Sequence, residues 1–522
     1  MQGFKDIEKN IKELAHRIPP LPEERGLGGK VMNIKNITHV YFIGLGGIGM
    51  SAIARYFLKA GKIVAGYDKT PTPLTDELIA EGMNIHFEDS INLIPKDFIS
   101  QFTNLPDGSQ ADNSQNSKLP TAHSEPRTPN SELLVVYTPA IPKHHTELNY
   151  FLQNGYTVMK RSQVLGLITA GLKTVGVAGT HGKTTTSSII AHLLKNANKN
   201  VTAFLGGITK NYQSNFLMPT NFENEIAVVE ADEFDRSFLT LHPSYAIITS
   251  MDADHLDIYH DKKHLEESYN LFANQIKHDG VLIYKEGIPL QTNHPNKYSY
   301  SLNASSQYAG IDLRVENHQY VFNLKTPNDA YTNLTLGLPG RHNAENAVAA
   351  CAIALNLGLS IEEIKTGLKT YTGVKRRFDL QFTNNHCVYI DDYAHHPEEL
   401  KACILSVKEM YADKKLTGIF QPHLFTRTRD FADGFADSLS LLDEVILLEI
   451  YPAREMPIEG VNSSMLLDKI KHSNKKVLSK EQTLAYIKES NAEVLLTLGA
   501  GDIDTLVEPI RKILQQKYAS RN

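Results

Sequence analysis

One run constrains this chain more than any other: Val175-Gly176-Val177-Ala178-Gly179-Thr180-His181-Gly182-Lys183-Thr184-Thr185-Thr186. An apolar, β-prone segment (Thr174–Ala178) enters a glycine turn, and Thr184–Leu194 beyond it reads as a helix. Glycines let backbone N–H groups approach an anion, and the helix N-terminus adds partial positive charge. Lys183 reaches toward β/γ-phosphates, and the Thr184 hydroxyl suits a magnesium ion. The strict G-x-x-x-x-G-K-[ST] spacing is not met, because Val177 stands where its first glycine belongs. The shorter Gly179-Thr-His-Gly182-Lys183-Thr184, set between a buried strand and a helix, predicts a nucleotide site.

Around it the chain reads as α/β. His39–Ile43 is a strand, followed by Gly44-Leu45-Gly46-Gly47-Ile48-Gly49, a helix over Met50–Lys59, and a strand Ile63–Tyr67 ending at Asp68. That is a G-x-G-x-x-G turn in β–turn–α–β context with an acid about 20 residues on. The turn recognises pyrophosphate, so a nicotinamide or flavin dinucleotide and some other diphosphate fit it equally. Residues 103–131 are Ser/Asn/Pro/Gln-rich and nearly free of large apolar residues, which predicts a disordered insertion before the strand Leu133–Tyr137 and Thr138. Residues 1–35 read as a polar extension.

Beyond the phosphate loop, strand Ile226–Val229 runs into Glu230-Ala-Asp232-Glu233, and Tyr245–Thr249 runs toward Asp252-Ala-Asp254-His255. Acids at two strand ends beside a phosphate loop suit a magnesium ion. His255 reads equally as a loop histidine or a ligand, since magnesium prefers oxygen. Arg341-His342-Asn343-Ala-Glu-Asn346 precedes an alanine-rich helix, Ala347–Leu355; Asn343 and Asn346 share one face and suit either capping or contacts to a base. A third α/β block follows. Strand Val388–Ile390 ends in Asp391-Asp392-Tyr393-Ala-His395-His396, Leu416–Phe420 ends in Gln421-Pro-His423, and Arg427 and Arg429 come next.

Net charge −6 and pI about 6.4 argue against nucleic-acid or membrane-surface partners. Three cysteines (Cys351, Cys387, Cys403) lack metal spacing and suit a reducing cytoplasm. No segment is long and apolar enough to enter a membrane as a span.

Taken in order, these motifs, with Arg376-Arg377-Phe-Asp379, resemble the Mur ligases over nearly the whole length. The resemblance implies an N-terminal Rossmann-like domain at 36–168 that binds a UDP-sugar, a P-loop ATPase-like central domain at 169–374 and a Rossmann-like C-terminal domain at 375–522. In this family the first glycine turn holds the UDP diphosphate, which assigns Gly44, Gly46, Gly47, Ile48, Gly49, Asp68 and Thr138 to the UDP-sugar. The implied reaction is ATP-dependent ligation of L-alanine to the lactyl carboxylate of UDP-N-acetylmuramate through an acyl phosphate. ATP would meet Gly179, Thr180, His181, Gly182, Lys183, Thr184 and Thr185, with Asn343 and Asn346 on adenine, Asp392 on the ribose and Arg377 near the phosphates. Thr184, Glu230 and His255 would hold Mg2+. Lys183, Arg377 and His396 carry the expected catalysis, and His423, Arg427 and Arg429 face the amino acid. A family relative that adds a whole tripeptide is the nearest alternative; the short Phe238–His242 connection and Met251-Asp-Ala-Asp254 favour alanine. The expected state is a monomer or weak homodimer.

Overall fold

The computed structural model describes residues 34–99, 132–219, 223–252, 259, 261–453 and 455–519. The polar lead ahead of residue 34, the insertion at 103–131, and Asp254 and His255 lie outside the described residues. The described chain forms two compact units. The first comprises residues up to Gly171 plus Ser237–His242, and the second Leu172–Arg236 plus Pro243 onward.

In the first unit, β1 (His39–Ile43), β2 (Ile63–Tyr67), β3 (Asn84–His86), β4 (Leu133–Tyr137) and β5 (Thr157–Lys160) form an all-parallel sheet in the order β3-β2-β1-β4-β5. Its central strands are apolar on both faces, as a sheet covered by helices requires. The order reverses at β1, so β1 and its neighbours open a crevice at their carboxyl ends. Ser237–His242 is tied in by the Thr240 hydroxyl, which donates to the Ser162 carbonyl at 2.9 Å.

The second unit contains two sheets. The larger joins β6 (Lys173–Ala178), β7 (Val201–Thr209), β8 (Ser214–Leu217), β9 (Ile226–Glu230), β10 (Tyr245–Ile248), β11 (Val281–Lys285), β12 (Lys297–Ser301), β13 (Tyr308–Glu316), β14 (Gln319–Lys325) and β15 (Ala330–Leu336). Its order is β15-β14-β13-β12-β11-β10-β6-β9-β7-β8, so β6 lies between β10 and β9. The smaller sheet orders β16 (Asp379–Thr383), β17 (Val388–Asp392), β21 (Val494–Leu498), β18 (Leu416–Phe420), β19 (Glu444–Leu447) and β20 (Lys475–Val477). One apolar core runs through both, including Ile189, Val348, Ile353, Ile404 and Leu496. The Tyr320 hydroxyl on β14 donates to Glu409 at 2.8 Å, and the Arg341 backbone N–H donates to Ser406 at 3.1 Å, tying a strand and a helix of the larger sheet's half to the helix Pro397–Met410.

Several element ends shift by one or two residues from the sequence reading, and two differences bear on the site. The alanine-rich helix spans Arg341–Asn356, six residues longer at its start than expected, because Gly340 is its N-cap at φ 116°. Neither asparagine is therefore the cap. Strand β17 extends through Asp392, so both aspartates sit in the ladder.

Candidate active site

The phosphate loop leaves the end of β6 and enters the helix Lys183–Asn196. Gly179 (φ 131°) and Gly182 (φ 81°) occupy backbone that side-chain residues avoid. A Cβ on Gly182 would lie 2.7 Å from the Asn346 Oδ1, which brings the Asn343–Asn346 face against this loop. The Thr180 hydroxyl donates to the Asp252 carbonyl at 2.9 Å, and the His181 N–H donates to Ser250 at 2.8 Å. The end of β10 thus braces one side of the loop.

The end of β9 supplies the other side. Lys183 Nζ donates to both Glu233 oxygens at 2.8 and 2.7 Å and to the Gly179 carbonyl at 2.7 Å. Burial weighs against its charge, yet Glu233, then Asp232 and Glu230, hold Lys183 above its ordinary pKa. The Thr184 hydroxyl donates to the Glu230 carboxylate at 2.9 Å, and the Gly206 N–H donates to the same carboxylate at 2.8 Å. A Cβ at Gly206 would collide with that carboxylate. Thr185 is buried in the helix's first turn and Asn343 is buried, its amide donating to the Pro339 carbonyl at 2.6 Å.

The smaller sheet brings its own polar residues to the carboxyl ends of β17, β18 and β21. Asp392 accepts from the N–H groups of Phe378 (2.6 Å) and Ala394 (2.8 Å); burial pushes its pKa up to about 6, with Arg377 pulling the other way. Arg376 and Arg377 lie over the Tyr393 ring at 5.1 and 4.8 Å. His396 caps the helix Pro397–Met410, its ring 5.0 Å from that of His181. His423 stacks on Tyr451 beside Arg427, and burial, then Arg427, lowers its pKa to about 4. Arg429 is exposed and pairs with Asp430 at 2.8 Å.

In the first unit, Gly44 (φ 90°) donates to the Tyr67 carbonyl at 2.8 Å, and the Gly46 N–H donates to Asp68 Oδ2 at 2.7 Å. Asp68 therefore braces the turn from the end of β2. The helix Ile48–Lys59 starts at Gly47 with no side-chain cap and no acid in its first turn, so its dipole favours an anion there. Thr138 packs beside Gly44.

Two acids escaped the sequence reading as site residues. Glu233 was visible only as part of an acidic run. Glu399 follows a Pro-opened helix start, where an acid ordinarily complements the helix dipole. Its carboxylate instead takes His181 Nδ1 at 3.1 Å and the His395 N–H at 3.0 Å.

The chain matches the Mur ligase family catalytic domain over residues 39–172, the Mur ligase middle domain over 177–354 and the Mur ligase glutamate ligase domain over 376–501. It is 48% identical to the UDP-N-acetylmuramate–L-alanine ligase of Flavobacterium psychrophilum, covering 93% of this chain and all of that one. It is 49% identical to that of Parabacteroides distasonis, covering 92% and 98%. The crystal structure of UDP-N-acetylmuramate-alanine ligase from Thermotoga maritima superposes with a TM-score of 0.71 at 26% identity, over 93% of this chain and 100% of that chain. A murein peptide ligase from Psychrobacter arcticus shares the fold, at a TM-score of 0.61 and 20% identity over 92% and 98% of the two chains. With all three family domains matched in order and near-full-length relatives at almost half identity, the chain belongs to the Mur ligase family.

Proposed function

We propose that this chain joins L-alanine to the lactyl carboxylate of UDP-N-acetylmuramate, consuming ATP and releasing ADP and phosphate, in peptidoglycan precursor synthesis. The observation that carries the reading is the phosphate loop between two acidic strand ends, with Lys183 on Glu233 and Thr184 on Glu230. The substrates follow from the names of the relatives above.

A carboxylate does not condense with an amine unaided, because its oxygen is a poor leaving group. In the proposed first step a carboxylate oxygen bonds to the γ-phosphorus while the β–γ bridging P–O bond breaks, releasing ADP. The alanine nitrogen then adds to the acyl carbon and loses a proton, and the C–O bond to phosphate breaks. Phosphoryl transfer demands positioning and charge neutralisation more than a covalent enzyme group. Lys183 supplies a buried cation that trades Glu233 for phosphate oxygens. The Gly179–Thr185 backbone cradles the phosphates, Asn343 and Asn346 meet adenine, Asp392 meets the ribose and Arg377 lies near the phosphates. Thr184 and Glu230 present hard oxygen donors within 2.9 Å of each other, a set that fits magnesium with nucleotide phosphates and water completing it. When bound, Mg2+ neutralises developing charge on the phosphates. His255 completes the set by family resemblance. His396, His423, Arg427 and Arg429 serve the amino-acid side. The Gly44–Gly49 turn with Asp68 and Thr138 holds the UDP diphosphate. We place the enzyme in the cytoplasm as a monomer or weak homodimer; among the described residues no helix is long and apolar enough to cross a membrane.

The test is isotopic. With ATP and UDP-N-acetylmuramate alone, hydroxylamine should trap a hydroxamate. After alanine is added, oxygen-18 from the substrate carboxylate should appear in phosphate. Label absent from phosphate, with unlabelled phosphate released as product forms, would sink the acyl-phosphate route.

A further inference from the structure

Glu399 stands in the first turn of the helix Pro397–Met410, in the smaller sheet's half of the second unit. Its carboxylate nevertheless reaches the phosphate loop of the larger sheet, where the His181 Nδ1 lies 3.1 Å from Oε1. Oε2 accepts the His395 backbone N–H at 3.0 Å and lies 3.3 Å from the His395 Nδ1. One carboxylate thus holds two histidine loops, one on each sheet. The side chain is only 15% exposed, so removing either partner leaves charge facing little water.

The groups around it favour its ionised form. Burial opposes the charge, but His395, then His181, and Arg377 outweigh it and hold Glu399 well below the usual carboxylate range. On the other side, His181 faces Asp252, with Nε2 3.6 Å from Oδ2, as well as Lys183 and the His396 ring. Burial pulls His181 toward neutrality, and Glu399 and Asp252 outweigh that. His181 itself is pinned at its N–H by Ser250 and at its carbonyl by the Thr249 hydroxyl. Its ring lies among Glu399, Asp252 and the His396 ring, and of the two carboxylates Glu399 is the nearer, at hydrogen-bond distance.

We propose that Glu399 is a positioning residue for the phosphate loop: by gripping His181 and the His395 loop together, it aims the His181 ring and couples nucleotide binding to the placement of the smaller sheet's histidines. Glu399 touches no substrate in this scheme. The inference rests on the proposed ligase reading only for the substrates of the kinetic assay.

The experiment is a double-mutant cycle on the full chain with Glu399→Gln, His181→Gln and the pair, read by titration calorimetry with ADP and Mg2+ and by steady-state kinetics. Glu399→Gln is expected to weaken ADP about tenfold and to lower kcat by ten- to a hundredfold, while KM for UDP-N-acetylmuramate stays within twofold. The double mutant should be no worse than the poorer single mutant within threefold, because each substitution breaks the same grip. Glu399→Asp, which restores the charge at a shorter reach, should recover part of the ADP affinity. Losses that multiply in the double mutant, or a Glu399→Gln enzyme within twofold of wild type in both ADP affinity and kcat, would overturn the proposal. The calorimetric cycle needs no turnover: a wild type that makes no alanine adduct would refute the ligase reading and leave the cycle to decide on Glu399. Should Glu399→Gln misfold, judged by circular dichroism, the Glu399→Asp and His181→Gln pair runs the same cycle.

Discussion

The protein builds two strand–glycine–helix turns, one in each unit, and equips them differently. The turn at Gly44–Gly49 is bordered by one acid and one cation: Asp68 accepts from the Gly46 N–H, and the Arg161 guanidinium packs against Gly49. The turn at Gly179–Lys183 is set among charges: Lys183 on Glu233, Thr184 on Glu230 and His181 on Glu399. A diphosphate that does not react asks only for backbone N–H groups and charge at the turn's border. A phosphate that is transferred also needs charge to follow it through the transition state. In the proposed reading the same local geometry serves a resting anion in one place and a reacting one in the other, and the side chains at neighbouring strand ends decide which.

The sharpest way to break this contrast is Lys183→Ala. Losing the cation aimed at the transferring phosphate should cost about 10²–10³ in kcat, with the fold retained by circular dichroism. A folded mutant with near-wild-type turnover would erase the difference between the turns. Gly44→Ala probes the other one. At φ 90° with Thr138 Cγ2 2.5 Å from the added Cβ, the turn must distort, at a cost of order 1–3 kcal/mol. UDP-N-acetylmuramate should bind about tenfold more weakly while ADP affinity stays within twofold; equal losses for both ligands would show that the two turns do not act separately.

Buried acids sharpen the contrast further. Glu399 faces histidines and Arg377 and is held ionised. Glu147 in the first unit accepts from the Tyr41 hydroxyl (2.8 Å) and the Ser90 N–H (3.1 Å), and burial pushes its pKa up to about 7. A raised acid pKa means the folded state binds the proton more tightly. Its stabilising contribution is full below the ordinary carboxylate range and disappears as pH rises through about 7. Glu147→Gln should therefore raise Tm relative to wild type at pH 8.5, by about 2–4 °C, and by less at pH 5. An unchanged difference across that range, measured by scanning calorimetry, would mean Glu147 does not titrate there. The smallest effect is expected from replacing residues 106–130 with a short Gly/Ser linker. Closure entropy changes slowly with loop length, so activity should stay within a few-fold. Loss of UDP-N-acetylmuramate binding in a folded deletion would join that segment to the first turn's work.

Much of this was legible in residue order. The strand–glycine–helix runs announce themselves because φ > 0 turns require glycine, and buried parallel strands read as continuous apolar runs. Strands β1, β2, β4 and β18 begin and end where their residues predict, and the Thr184 hydroxyl lies on the Glu230 carboxylate across two motifs far apart in sequence. The start of the helix Arg341–Asn356 was missed because Gly340 is a poor local signal for a cap. Local pattern also says nothing about which strand lies beside which. The insertion of β6 between β10 and β9 is what places Glu233 on Lys183. The packing of the two sheets of the second unit places Glu399, 218 residues away in sequence, on His181. Sequence alone determined the backbone cradles and the residue types they carry, since φ/ψ limits and hydrophobic period act over a few neighbours. Only the tertiary structure decided which charges those cradles face, because an ion pair depends on distance in space, and sheet order and burial set that distance.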